Sequence, residues 1–95
     1  MELSISNSDL TITGNIKSVS DFQAIKQTLD KLVSTKKTIR IIIIDSISIT
    51  SSVIGYLTKL IYKEEVKLSL QIGSPLLIEL LTDLGLETEF HITKG

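Results

Sequence analysis

Ninety-five residues with a formal net charge of −1 fit one domain, and 42% hydrophobic with 22% charged residues is a composition that folds around a core. Scattered Lys and Arg offer no basic patch for nucleic acid, and the absence of cysteine excludes disulfides, thiolate catalysis and cysteine-held metals. The longest apolar run, Ile41 to Ile44, falls far below the ~20 residues of a membrane span, and no apolar run follows a basic start; membrane insertion and a signal peptide are not expected, and a cytoplasmic location is.

Glu2 to Asn7 places Leu3 and Ile5 two apart, the period of a strand. Asn7-Ser8-Asp9 is turn chemistry, and Leu10 to Ile16 carries Leu10, Ile12 and Ile16 on one parity, so a hairpin is expected. From Ser18 the period changes. Val19, Phe22, Ile25, Leu29, Leu32 and Val33 recur at three and four, one apolar stripe on a helix near 20–34. Ser20 with Gln23 three residues later fits a capping box, which predicts Ser20 as the N-cap.

Ile39 to Asp45 reads I-R-I-I-I-I-D, a largely β-branched run that suits a central strand covered on both faces. Val53 to Ile61 returns to helical spacing, within a helix near 51–64. Val66 to Ile72 alternates as a strand. Ser74 then reads as an N-cap with Pro75 in the first helical position, opening a helix near 75–84. Gly85 suits a left-handed C-terminal cap, with Leu86 folding back on Leu81. Glu89 to Ile92 reads as a short last strand with Phe90 and Ile92 on one face. The order β-β-α-β-α-β-α-β predicts a single α/β domain over 1–95 with a mixed, mostly parallel sheet.

The segment from Ile44 to Gly55 joins the C-terminal end of the predicted central strand to a helix, the end of an open α/β sheet where partners gather. At about 100° per residue, Val53, Ile54, Leu57, Leu60 and Ile61 fall on one arc and face the sheet. Ser51, Ser52, Gly55, Lys59, Tyr62 and Lys63 fall on the opposite arc and face solvent. Gly55 costs that helix about 1 kcal/mol relative to alanine. A close partner backbone explains it; so does a neighbouring helix of the same domain, with the serines as plain helix caps and Tyr62 as an isolated surface aromatic.

The element order and Thr50-Ser51-Ser52-Val53-Ile54-Gly55 together resemble the STAS family, the domain of anti-sigma-factor antagonists and related partner-switching regulators. Its signature is Asp-Ser-Ser-Gly-Leu-Gly opening the second helix. Both serines and the last glycine match, while Thr50 stands for the aspartate and Val53 for the first glycine. The Leu84-Gly85-Leu86 turn resembles the family's turn after its last conserved helix. The resemblance implies a protein-binding switch without enzymatic activity or cofactor. The exposed face of the second helix, centred on Ser52, Gly55, Lys59, Tyr62 and Lys63, binds a partner of the anti-sigma serine/threonine kinase type. Phosphorylation breaks the complex and a PP2C-like phosphatase restores it. Ser51 is the first choice of acceptor, Thr50 the second and Ser52 the third. The loss of the aspartate and glycine also fits a scaffold or transporter-associated module that never cycles through phosphorylation, and a ligand-sensing module stays open beside it.

An enzyme reading finds no assembled site in the sequence. Ser51 lacks a G-x-S-x-G elbow, His91 is the only histidine, and Asp45 has no second carboxylate near it. Asp45 is expected to solvate a strand end or cap the loop. Phosphate-loop and HExxH motifs are absent.

Overall fold

The computed structural model describes all 95 residues, Met1–Gly95. The chain opens with β1 (Glu2–Ser6) and β2 (Asp9–Thr13), an antiparallel hairpin turned at Asn7 and Ser8, with Asn7 at φ 56°. Helix α1 (Val19–Val33), β3 (Thr38–Ile43), α2 (Ser51–Tyr62), β4 (Lys67–Ile72), α3 (Pro75–Asp83) and β5 (Ile92–Lys94) follow. The five strands lie in the order β1-β2-β3-β4-β5, and β2–β3, β3–β4 and β4–β5 pair in parallel.

Register decides which face is buried. Leu3, Ile12, Ile43 and Ile72 stand in one row, and Leu10, Ile41 and Leu70 in the next. Apart from the half-buried Leu3, all are buried, and they join the inward residues of all three helices in one core of 21 side chains. The opposite face is polar and open. Ser6, Asp9, Arg40 and Ser69 form one row, in which Arg40 reaches Asp9 at 2.8 Å. The sheet is therefore covered on one face, not both. In β3 the outward positions are Thr38, Arg40 and Ile42, and only Ile42 is half-buried. An isoleucine run has the same composition whichever parity it buries, so the run alone does not report a second layer.

Helix α1 begins two residues earlier than the Ser20 cap predicts. The Ser18 hydroxyl accepts from Asp21 N–H at 3.0 Å, and the Asp21 carboxylate accepts from Ser18 N–H at 3.2 Å and Lys17 N–H at 2.9 Å. Both serines have a side-chain acceptor three residues on. The charged carboxylate of Asp21 accepts more strongly than the amide of Gln23, so the earlier box forms. Val19, in the first turn, stays exposed instead of joining the stripe.

Helix α3 starts at Ser74–Pro75, although the buried Ser74 side chain makes no capping bond. It ends as the sequence predicts. Gly85 takes φ 76°, Gly85 N–H donates to Thr82 C=O, and Leu86 N–H donates to Leu81 C=O. Gly73, just before α3, lies so close to the chain at Ile44 that any Cβ would strike the Ile44 carbonyl. The last strand begins at Ile92, later than expected. Residues 87–91 form a turn in which Ile92 N–H donates to Glu87 C=O and His91 adopts φ 47°. Phe90 reaches the core from that turn, fully buried. No helix is long and apolar enough to cross a membrane.

Candidate functional site

The loop 44–50 carries the chain from β3 to α2, and side-chain bonds fix it to residues 14–16. Asp45 Oδ1 accepts from Gly14 N–H at 2.8 Å, and Asn15 Oδ1 accepts from Ile47 N–H at 3.0 Å. Ser46, fully buried, accepts from Ile16 N–H at 3.0 Å and donates to Ser48 C=O at 2.7 Å. The Ser48 hydroxyl donates to Ile16 C=O at 2.8 Å. Both backbone groups of Ile16 are thus satisfied by serines 30 and 32 residues away. Asp45 serves the loop, and no three His, Asp or Glu side chains come together as metal ligands.

This seam delivers Thr50 to the helix start in extended conformation. Its hydroxyl accepts from Val53 N–H at 3.2 Å, making Thr50 the N-cap of α2. Ser51 and Ser52 follow, exposed, with no hydrogen-bond partner for either hydroxyl within the chain. The first turn of α2 holds no acidic residue, so the positive end of the helix dipole faces outward unopposed by its own side chains.

Each outward position stands where the wheel puts it. Ser51, Ser52, Gly55, Lys59, Tyr62 and Lys63 are exposed; Val53, Leu57 and Leu60 are buried, and Ile54 and Ile61 half-buried. A Cβ built on Gly55 meets nothing within 4 Å. The neighbouring-helix explanation of this glycine therefore fails, and the fold itself sets no demand for glycine there.

The wheel leaves Tyr56 and Thr58 unassigned, and the Thr58 hydroxyl only donates back to Ile54 C=O at 2.9 Å. Tyr56, on the flank of α2, is buried against α1, its ring edge-on to Phe22 at 6.4 Å between centroids. Its hydroxyl donates to Asp30, whose other oxygen receives Lys26 Nζ at 2.8 Å. Burial first, then the Asp30 hydrogen bond, push the Tyr56 hydroxyl far above the ordinary tyrosine range. The Lys26 and Tyr56 bonds in turn hold the Asp30 carboxyl below its usual range. Nothing local in the sequence pairs these two helix flanks.

Two depressions mark the surface. One of about 150 Å³ lies between the starts of α1 and α2, lined by Lys17, Ser18, Val19, Phe22, Thr50 and Ser52. That is small beside the roughly 300–1,000 Å³ of small-molecule sites. The other, about 570 Å³, lies at the far end of α2, where Ile61, Val66 and Leu68 are rimmed by Glu65, Lys67, Glu89 and His91. His91 Nδ1 sits 3.1 Å from Leu68 C=O. Ten residues of α2 separate Ile61 from Ser51, a rise of about 15 Å, so the structure does not bring His91 to the serines.

No protein-family model, curated protein or solved structure matches the chain.

Proposed function

We propose that this domain is a non-enzymatic, cytoplasmic partner switch of the STAS type, binding a protein through the outward face of α2 and released by phosphorylation at Ser51. The observation that carries the reading is Gly55. It interrupts an exposed helical face, costs the helix about 1 kcal/mol, and has open space where a side chain would go. A partner packed against bare backbone accounts for that cost. Around Gly55 the same face offers Tyr62, an aromatic of the kind enriched at protein contacts, with two hydroxyls and two lysines suited to a polar rim.

The hydroxyls differ in availability. Thr50 is occupied as a cap, Ser52 lines the narrow cleft beside α1, and Ser51 is exposed and unpartnered. This favours Ser51 as acceptor. A kinase of the anti-sigma type transfers the γ-phosphoryl group of ATP to the Ser51 oxygen; the hydroxyl proton leaves and ADP is released. A PP2C-like phosphatase hydrolyses the ester back. The phosphate brings about −1.5 to −2 charges. In the free domain it meets the N-terminal amides of α2 and water, while in a packed interface it is desolvated.

Affinity capture from the native host tests the surface, with wild type, Gly55→Gln and Ser51→Asp as baits. The expected result is one protein retained by wild type and lost from both variants, which fold as wild type does. Equal retention by Gly55→Gln overturns the assignment of α2. Equal retention by Ser51→Asp, together with consistent absence of phosphate on 50–52, favours the non-cycling scaffold or transporter-associated module, or a ligand sensor.

A further inference from the structure

Helix α3 turns a second apolar face to solvent. Leu76, Leu80 and Leu84 are 61%, 39% and 54% exposed. They recur every four residues and occupy one arc of about 80°. Leu77 and Leu81, on the adjoining arc, are fully buried and complete the core, so the outer leucines are not needed to seat the helix. Three leucines on one exposed arc form a continuous patch, unlike the scattered single apolar residues of an ordinary surface.

Charge indicates what covers the patch. Glu79 and Asp83, both exposed, run along its border four residues apart. From residue 68 to 93 the chain has Glu79, Asp83, Glu87 and Glu89 but no Lys or Arg. A second copy docked antiparallel through the stripe sets Glu79 and Asp83 against their own equivalents, and an anionic lipid surface meets the same repulsion. We infer that the Leu76–Leu80–Leu84 stripe of α3 docks a basic amphipathic helix of another protein, with its apolar face on the leucines and Lys or Arg beside Glu79 and Asp83. The surface lies on a different helix from the α2 face and is inferred independently of the switch at Ser51.

The probes are three synthetic amphipathic peptides with one shared leucine face and flanks of all Lys, all Gln or all Glu. They are titrated against the whole domain by fluorescence anisotropy at low and high salt. The Lys-flanked peptide is expected to bind about tenfold or more tightly than the Gln-flanked one at low salt, with the gap closing at high salt. Leu76→Gln, at the most exposed position, should weaken binding about tenfold without changing the melting temperature. The double variant Glu79→Gln/Asp83→Asn should remove the preference for Lys but keep the apolar contact. Equal binding of the Glu-flanked peptide, or no binding by any of the three, overturns the inference. So does a dimer in sedimentation velocity that Leu76→Gln abolishes, which makes the stripe a contact between copies.

Discussion

Ser46 has no exposed surface, and its hydroxyl satisfies an amide on a distant loop while donating within its own. Replacing it with alanine leaves Ile16 N–H buried without an acceptor, a loss of about 1–3 kcal/mol. Chemical denaturation of Ser46→Ala should show that loss, whereas Ser51→Ala, exposed and unpartnered, should denature as wild type does. Gly55 moves stability the other way. With open space at its Cβ, Gly55→Ala should stabilise the free domain by up to about 1 kcal/mol. A lower melting temperature contradicts the description of Gly55 as structurally free. The outward side chains of α2 were readable in the sequence because they depend on helical period alone. The Ser46 seam and the Tyr56–Asp30 bond were not, because each joins residues 26 or more apart whose proximity only the tertiary packing creates.

At the scale of elements, the entry to α1 makes stability depend on pH. Backbone hydrogen bonds, led by that from Lys17 N–H, hold the Asp21 carboxyl below its ordinary value of 3.8, and the Lys26 and Tyr56 bonds do the same for Asp30. A depressed folded-state pKa means the contribution is fully present above about pH 4 and is lost as pH falls through the folded-state value. The stability of wild type should therefore fall between pH 4 and lower pH more steeply than that of Asp21→Asn, measured by urea denaturation at each pH. Equal slopes contradict the cap. Element types were legible because their periods differ: 3.6 in α1 and α2, two in β4. Boundaries were less so. Phe90 and Ile92 alternate like strand residues, yet Phe90 enters the core from a turn, and the two competing capping boxes at Ser18 and Ser20 have the same spacing and differ in the charge and length of the acceptor.

For the whole molecule, the decisive feature is a sheet covered on one face, which places all three helices, with the outward faces of α2 and α3, on the same side. Neighbouring residues of β3 should reveal it. Ile41→Ala, in the core, is expected to cost about 2–5 kcal/mol, a large part of the roughly 5–15 kcal/mol that holds a domain folded. Arg40→Ala, on the open face, should leave the denaturation midpoint nearly unchanged, because its ion pair with Asp9 lies in water. The α/β class and the alternation of elements could be read from the sequence. The bare polar face could not, since the β-branched and charged residues of Ile39 to Asp45 describe a central strand equally well with one layer or two.

The switch itself is tested most directly by the phosphorylation state of Ser51 in the chain isolated from its native host, measured by mass spectrometry separately in the partner-bound and free fractions. Phosphate is expected on Ser51 in the free fraction and essentially none in the complex, with the same melting temperature for modified and unmodified free domain. Phosphorylated Ser51 at equal occupancy in the complex and the free fraction would contradict the switch.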